Sequence, residues 1–157
     1  MTGKTIYTVE EAKKKMEYYC SYQERCHQEV ESKLKSMSLI DEAKEHILLH
    51  LLEFDFLNEE RFSRAFARGK FSIKRWGKQR IIRELKSRNI SEYNIKSALQ
   101  EISDEDYTKT FNELARKRLV KIKESNLYKK RKKLADYLLY WGWEADMVYD
   151  QIMKLIP

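Results

Sequence analysis

The residues best suited to catalysis are two cysteines and a pair of carboxylates. A nucleophilic thiol needs a nearby base and an electropositive setting. Cys20 and Cys26 instead lie among acidic residues of predicted helices, and Cys26 falls on an apolar stripe. Asp104 and Asp106 are typical of acids in the first turn of a helix, which is a structural role. We therefore expect that the protein is not an enzyme.

His46 and His50 are four residues apart, a spacing at which two imidazoles on one helix face can bind a metal. No third ligand follows at a spacing typical of zinc sites, and the pair lies beside an apolar stripe. The sequence also has no glycine-rich loop that would bind a phosphate group. We expect a structural role for the histidines, no metal site and no cofactor.

Basic residues are the more informative set. The chain of 157 residues carries 32 Lys and Arg against 25 Asp and Glu, a net charge of +7. Residues 57–101 hold twelve of these bases and only five acids, whereas residues 1–56 are net negative. Such an excess favours a polyanionic partner. The basic stripe of this segment comprises Arg61, Arg64, Arg68, Lys70, Lys74, Arg75, Lys78, Arg80, Arg83, Lys86 and Arg88.

Two interpretations of the basic stripe differ in what neutralises it. It can be a solvated helical face with local pairs, such as Arg80 or Arg88 with Glu84. Few acids are near in sequence, however, so we expect most of the charge to be unpaired and to bind DNA or an acidic partner. Trp76 lies in the basic loop that follows Gly69 and is our candidate for stacking on a base.

A second basic run stands at the start of a predicted helix, where the helix dipole disfavours cations. An external acidic partner and a wetted surface explain this run equally well. Its members are Lys129, Lys130, Arg131, Lys132 and Lys133.

Helices must position these residues, because one Pro and four Gly are too few for a turn-rich β fold. Side-chain caps are predicted at Thr8, Asn58, Ser91 and Ser103. Gly69 is predicted to end the helix that begins after Asn58, and Trp143, which aligns with the apolar Leu39 and Ile90, is predicted to lie in the core.

The predicted helix ends reveal an internal repeat. Leu34, Leu85 and Leu138 are each followed four residues later by a turn residue, namely Ser38, Asn89 and Gly142. Such self-similarity is typical of stacked supersecondary units. We predict an all-α protein of three tandem three-helix units, similar to helix-turn-helix modules, in an elongated curved array. The predicted units are residues 1–56, 57–102 and 103–157.

The middle unit resembles the RecX family of bacterial regulators of the RecA recombinase. The likeness rests on RFSRAFARGKFSIKRWGKQRIIRELKSRNI at residues 61–90, and SYQERCHQEVESKL at residues 21–34 resembles the family's pattern in the first unit. Cys26, Val30 and Asn89 stand where the family more often has Ser, Leu and Gly. Each of these residues can pack in the same place, or form the same turn, as the residue that the family more often has.

The resemblance implies a regulatory protein that binds the RecA filament on DNA and inhibits its recombinase, ATPase and coprotease activities, in DNA repair, homologous recombination and the SOS response. Weak, sequence-independent binding to single- or double-stranded DNA is also implied. Two alternatives remain: a general DNA-binding protein without a RecA partner, and a helical adaptor for an unrelated acidic protein. We expect a cytoplasmic monomer that does not bind membranes, since the chain opens with no signal-like segment and has no apolar run of about 18 residues.

Overall fold

The computed structural model describes residues 7–157, and these form nine α-helices and no strand. The all-α prediction is confirmed, and the helices fall into three sets of three. The first set is α1 (Val9–Tyr22), α2 (His27–Lys35) and α3 (Asp41–Glu53). The second is α4 (Glu59–Ser72), α5 (Lys78–Ser87) and α6 (Glu92–Leu99). The third is α7 (Asp104–Lys121), α8 (Leu127–Tyr140) and α9 (Ala145–Leu155).

Side-chain caps begin the helices at the predicted positions. Thr8 Oγ1 accepts a hydrogen bond from the Glu11 amide, and the Glu11 carboxylate accepts one from the Thr8 amide, both at 3.1 Å. This capping box satisfies two amide groups that the first turn of α1 leaves free. Equivalent single caps are formed by Asn58, Ser91, Ser103 and Asn126. Each such cap contributes about 1 kcal/mol.

The repeat is confirmed by the backbone at the three turn residues. All three adopt the left-handed conformation: Ser38 (φ 54°), Asn89 (φ 59°) and Gly142 (φ 95°). The Ile90 amide donates to the Leu85 carbonyl at 3.2 Å, and the Trp143 amide donates to the Leu138 carbonyl at 3.1 Å. Both are the six-to-one bond of a Schellman motif, so α5 and α8 end in the same way.

The predicted helix end at Gly69 is wrong. Helix α4 continues through Gly69 to Ser72, and the Ile73 amide still donates to the Gly69 carbonyl at 2.9 Å. The left-handed turn comes later, at Arg75 (φ 58°). A Cβ placed on Gly69 would meet nothing within 4 Å, so neither the space nor the backbone requires glycine there.

The buried side chains form two cores. The first is built from α1–α3 and includes Met16, Ile47 and Leu51. The second runs from α4 to α9 without interruption, so the second and third helix sets share one interior, in which Trp143 is only 1% exposed. The prediction that Trp143 lies in the core is confirmed. Cys26, at the start of α2, joins this second core. The unit boundaries and the curvature of the array stay predictions.

The second and third helix sets join through direct contact of main chains. The Gly77 amide donates to the Trp141 carbonyl at 2.8 Å, and the Gln79 amide donates to the Gly142 carbonyl at 2.9 Å. A Cβ on Gly77 would lie 2.4 Å from the Gly142 carbonyl carbon. Only glycine permits this approach, which fixes the start of α5 against the turn between α8 and α9.

The first and second helix sets join mainly through polar side chains, in addition to the burial of Cys26 in the second core. The His27 amide at the start of α2 donates to Glu59 Oε2 at 3.1 Å, and Arg61 Nε donates to Glu24 Oε2 at 2.7 Å. A groove of about 660 Å³ lies between the two sets and is lined by residues of both, among them Gln28 and Phe66. The two junctions of the array are therefore built differently.

Candidate partner and nucleic-acid interface

Arg61 is a structural residue, although the sequence placed it in the basic stripe. Its guanidinium donates to the Glu24 and Asp55 carboxylates at 2.7 and 2.8 Å and to the carbonyl oxygens of Asp55 and Phe56. Partial burial opposes the charged form, but these two carboxylates raise the pKa of Arg61 above its ordinary value. Arg61 thus ties α4 to the first helix set.

Arg64 and Arg68 are also held by side chains of the same unit. Arg64 Nη2 donates to the Glu60 carboxylate at 3.2 Å and to Ser97 Oγ at 2.7 Å. Arg68 Nη1 donates to the Glu101 carboxylate at 2.6 Å. Because Ser97 and Glu101 belong to α6 and the segment after it, these bonds pair α4 with the third helix of its unit.

Further members of the basic stripe have carboxylate partners within 4.0 Å. Arg75 pairs with Glu113 at 4.0 Å and Lys78 with Asp104 at 3.9 Å, both across to α7. Arg88 pairs with Glu84 at 3.3 Å within α5. Six of the eleven stripe cations therefore have an acidic partner. The expectation that most of this charge is unpaired is wrong.

Trp76 and Arg80 pack on each other at the junction of the second and third helix sets. The Arg80 guanidinium lies 4.5 Å from the Trp76 ring centroid and 4.7 Å from that of Trp141. Lys70 lies 4.9 Å from the same Trp76 ring, and Phe66 meets it edge-on. Trp76 is only 8% exposed, so the prediction that it stacks on a nucleic-acid base is wrong.

Three cations of the basic stripe are exposed and have no carboxylate within 4.0 Å among the described residues. Arg83 and Lys86 are three residues apart on α5, a spacing that places them on one helix face. The third lies in the turn between α4 and α5. We call these residues the free cations of the middle unit: Lys74, Arg83 and Lys86.

The second basic run, residues 129–133, also contains both cations with internal partners and cations that have none among the described residues. Arg131 donates to the carbonyl oxygens of Ile156 and Pro157, which fastens α8 to the end of α9. Lys132 pairs with Asp136 at 2.9 Å and Lys133 with Glu124 at 3.6 Å. Within the described part of the chain, Lys129 and Lys130 have no carboxylate within the same limit and remain available for an external anion.

A third basic segment, not among the residues predicted from the sequence, lies at the carboxyl end of α7. Between Glu113 and Glu124 there is no acid, and five cations occur within eight residues, namely Arg116, Lys117, Arg118, Lys121 and Lys123. All five are exposed and, among residues 7–157, lie beyond 4.0 Å of any carboxylate. The run of like charges between those two acids is the signal that could have found it.

The residues first considered for chemistry have structural surroundings. His50 Nε2 lies 2.6 Å from the Glu17 carboxylate and its ring packs on Phe54. Burial raises the pKa of the Cys20 thiol to about 11 and also raises that of Cys26. Among residues 7–157, no group of three or more His, Cys, Asp or Glu side chains has an arrangement that could hold a metal ion. Over the same residues, no helix is both long and apolar enough to cross a bilayer.

Comparison with known proteins adds what the geometry alone does not specify. Residues 58–99 match the family described as RecX, second three-helix domain. The regulatory protein RecX of Lactobacillus gasseri is 30% identical over 89 residues, which are 57% of this chain and 33% of that protein. The regulatory protein RecX of Clostridioides difficile is 25% identical over 130 residues, 80% of this chain and 61% of that protein. The middle of the chain is therefore similar to the second three-helix domain of RecX.

Solved structures agree on the fold. The crystal structure of RecX from Lactobacillus salivarius superposes with a TM-score of 0.80 at 23% identity, covering 94% of this chain and 96% of that one. A second structure, of regulatory protein RecX, gives a TM-score of 0.82 at 23% identity over 93% of this chain. The chain spans a third of the length of the curated Lactobacillus relatives.

Proposed function

We propose that this chain is a member of the RecX family, that it binds the RecA filament on DNA, and that it inhibits the recombinase, ATPase and coprotease activities of RecA. The match of residues 58–99 to the second three-helix domain of RecX carries the proposal. The same residues include the segment that holds the free cations of the middle unit. The curated relatives are named as regulatory proteins, which supports a role in regulation over one in catalysis.

The mechanism we propose is binding alone, without a cofactor. The chain lies in the groove of the filament as a monomer in the cytoplasm and contacts adjacent RecA protomers together with phosphates of the DNA. Such a bridge either impedes extension of the filament or promotes loss of its subunits. Exposed cations without an internal partner are best suited to these contacts, because they are not already engaged by a carboxylate of the chain.

This criterion divides the residues that the sequence suggested. Lys74, Arg83, Lys129 and Lys130 remain proposed contacts, and Lys86 joins them. Members of the two runs that form ion pairs, donate to backbone carbonyls or pack around Trp76 are proposed to hold the fold. The proposed structural members are Arg61, Arg64, Arg68, Lys70, Arg75, Trp76, Lys78, Arg80, Arg88, Arg131, Lys132 and Lys133.

Salt dependence of binding tests the proposal. We expect the chain to bind RecA-coated single-stranded DNA more tightly than bare DNA, with a shallower loss of affinity as salt rises. Binding to bare DNA should lose affinity with a log–log slope of about −0.7 per phosphate contact on single strands and about −0.9 on duplex. Equal affinity and equal slope with and without RecA would refute a RecA partner.

The second candidate is a DNA-binding protein without a RecA partner. The five exposed cations from Arg116 to Lys123 favour it, because they offer a polyanion-binding surface outside the segment that matches the family. This candidate predicts steep salt dependence on bare DNA and no gain from RecA. A helical adaptor for another acidic protein predicts no retention on DNA at all.

A further inference from the structure

A groove of about 550 Å³ lies between the carboxyl end of α7 and the flank of α8. We call it the α7–α8 groove. It combines four cations with two tyrosines, and its principal lining residues are Arg118, Lys121, Lys123, Lys133, Tyr137 and Tyr140. The main-chain hydrogen bonds at Gly77 and Gln79, which join the second and third helix sets, do not involve these side chains.

The α7–α8 groove carries net positive charge. Among the described residues, Lys121 and Lys123 have no carboxylate within 4.0 Å. The one acid in the lining, Asp136, is engaged by Lys132 at 2.9 Å outside the groove. Lys133 reaches Glu124 only at 3.6 Å, and that contact is half exposed on the lysine side.

Stabilisation of α7 does not explain this arrangement. Cations in the last turn of a helix are favourable, which accounts for Arg118 and Lys121. Lys123, however, follows the end of α7, and Lys133 comes from α8. Cations from separate elements thus converge on one concave surface, as they do where a protein follows a phosphate backbone.

Tyr140 gives the groove a flat apolar surface in a fixed orientation. The residue is 64% exposed, and its ring stands edge-on to Trp141, with centroids 5.1 Å apart and an interplanar angle of 89°. The Arg80 guanidinium lies 5.0 Å from the ring centroid of Tyr140. The tyrosine is therefore supported from behind while much of its ring faces solvent.

We propose that the α7–α8 groove binds single-stranded nucleic acid, with the phosphates on Lys121 and Lys123 and one base stacked on Tyr140. The inference deepens the proposed function and rests on it only for the biological setting. Stacking on an exposed ring requires a base with a free face, and bases inside a duplex have both faces covered by their neighbours. The groove should therefore prefer single strands to duplex.

The test is fluorescence anisotropy with a labelled oligothymidylate and with a hairpin duplex of the same nucleotide count, in the absence of RecA. Tyr140→Leu should weaken binding of the single strand roughly 5- to 150-fold, the range for loss of one stacked base, and binding of the duplex less than about twofold. Tyr140→Phe keeps the ring and should restore wild-type affinity. Tyr93→Leu removes a tyrosine that is 74% exposed on α6 and serves as the matched control.

Charge is tested separately. Replacing Lys121 and Lys123 by Gln should flatten the salt slope on oligothymidylate by about 0.7 for each lost phosphate contact. Wild-type affinity in Tyr140→Leu, equal losses on single strand and duplex, or no binding of oligothymidylate by the wild-type chain would each overturn the inference. None of these results bears on RecA inhibition, which is measured with the filament.

Discussion

Gly77→Ala should unfold the joint core of the second and third helix sets at much lower denaturant concentration. The φ of Gly77 is −76°, which any residue adopts, so the effect is purely steric. An added Cβ would lie 2.4 Å from the carbonyl carbon and oxygen of Gly142 and 2.5 Å from the Trp143 amide nitrogen. One backbone segment must therefore move by about 1 Å to reach ordinary contact distance.

The cost has two parts. Separating the main chains weakens the hydrogen bonds from Gly77 to Trp141 and from Gln79 to Gly142, each worth about 1 kcal/mol. Overpacking adds about 1 to 3 kcal/mol. Alanine also lowers the conformational entropy of the unfolded chain, which offsets this loss by about 0.5 to 1 kcal/mol. The net loss in the free energy of unfolding is about 2 to 4 kcal/mol.

Gly69→Ala is the matched control, because a Cβ at this position in α4 meets nothing within 4 Å. It should stabilise the chain by about 0.5 to 1 kcal/mol. Urea unfolding followed by tryptophan fluorescence measures both variants. All three tryptophans lie in or against the second core, so the signal reports on α4–α9. Gly77→Ala within about 0.5 kcal/mol of wild type would refute the reasoning.

Three further predictions concern stability. Ser38→Gly should stabilise the chain by about 1 kcal/mol, because Ser38 pays the steric cost of a left-handed φ of 54°; a loss of stability in urea unfolding would contradict this. Arg61→Ala should destabilise by about 1 to 3 kcal/mol because it leaves Glu24 without its partner. Arg83 is exposed and unpaired among the described residues, so Arg83→Ala should change the free energy of unfolding by less than about 0.5 kcal/mol. Equal losses in Arg61→Ala and Arg83→Ala would contradict a stabilising role for the ion pair between Arg61 and Glu24. Burial raises the pKa of Cys20 to about 11 from 9.0. Between these values the folded chain keeps a proton that the unfolded chain releases, so stability should fall as pH rises from about 9 to 11, and less so in Cys20→Ala.

Local chemistry made much of the fold predictable from the sequence. Asn58 and Ser103 accept the amides of their own first turns, and Asn89 adopts its left-handed φ because of interactions within a few residues. Such features depend only on nearby atoms, so the pattern of caps and stops reveals them. The predicted helix end at Gly69 was wrong for the opposite reason. Packing maintains the helix around Gly69 and overrides the low helix propensity of one residue.

The candidate interface was less predictable because its ion pairs are distant in sequence. Arg61 reaches Glu24, 37 residues away, and Arg68 reaches Glu101, 33 residues away. Rules for neighbours on one helix cannot detect such pairs. The burial of Trp76 was equally hard to predict, because Trp76 lies in a loop whose neighbours in space, Phe66 and Arg80, come from the helices on either side of it.

The rate of ATP hydrolysis by RecA on single-stranded DNA, with the chain added below the RecA concentration, tests the proposed function most directly. The wild-type chain should lower the rate. Reversing the free cations of the middle unit, Lys74, Arg83 and Lys86, to Glu should abolish the effect without changing the free energy of unfolding. Reversing Lys14 and Lys35, which are exposed cations of the first helix set, should leave the effect intact. An unchanged rate at every ratio of wild-type chain to RecA would contradict the proposal.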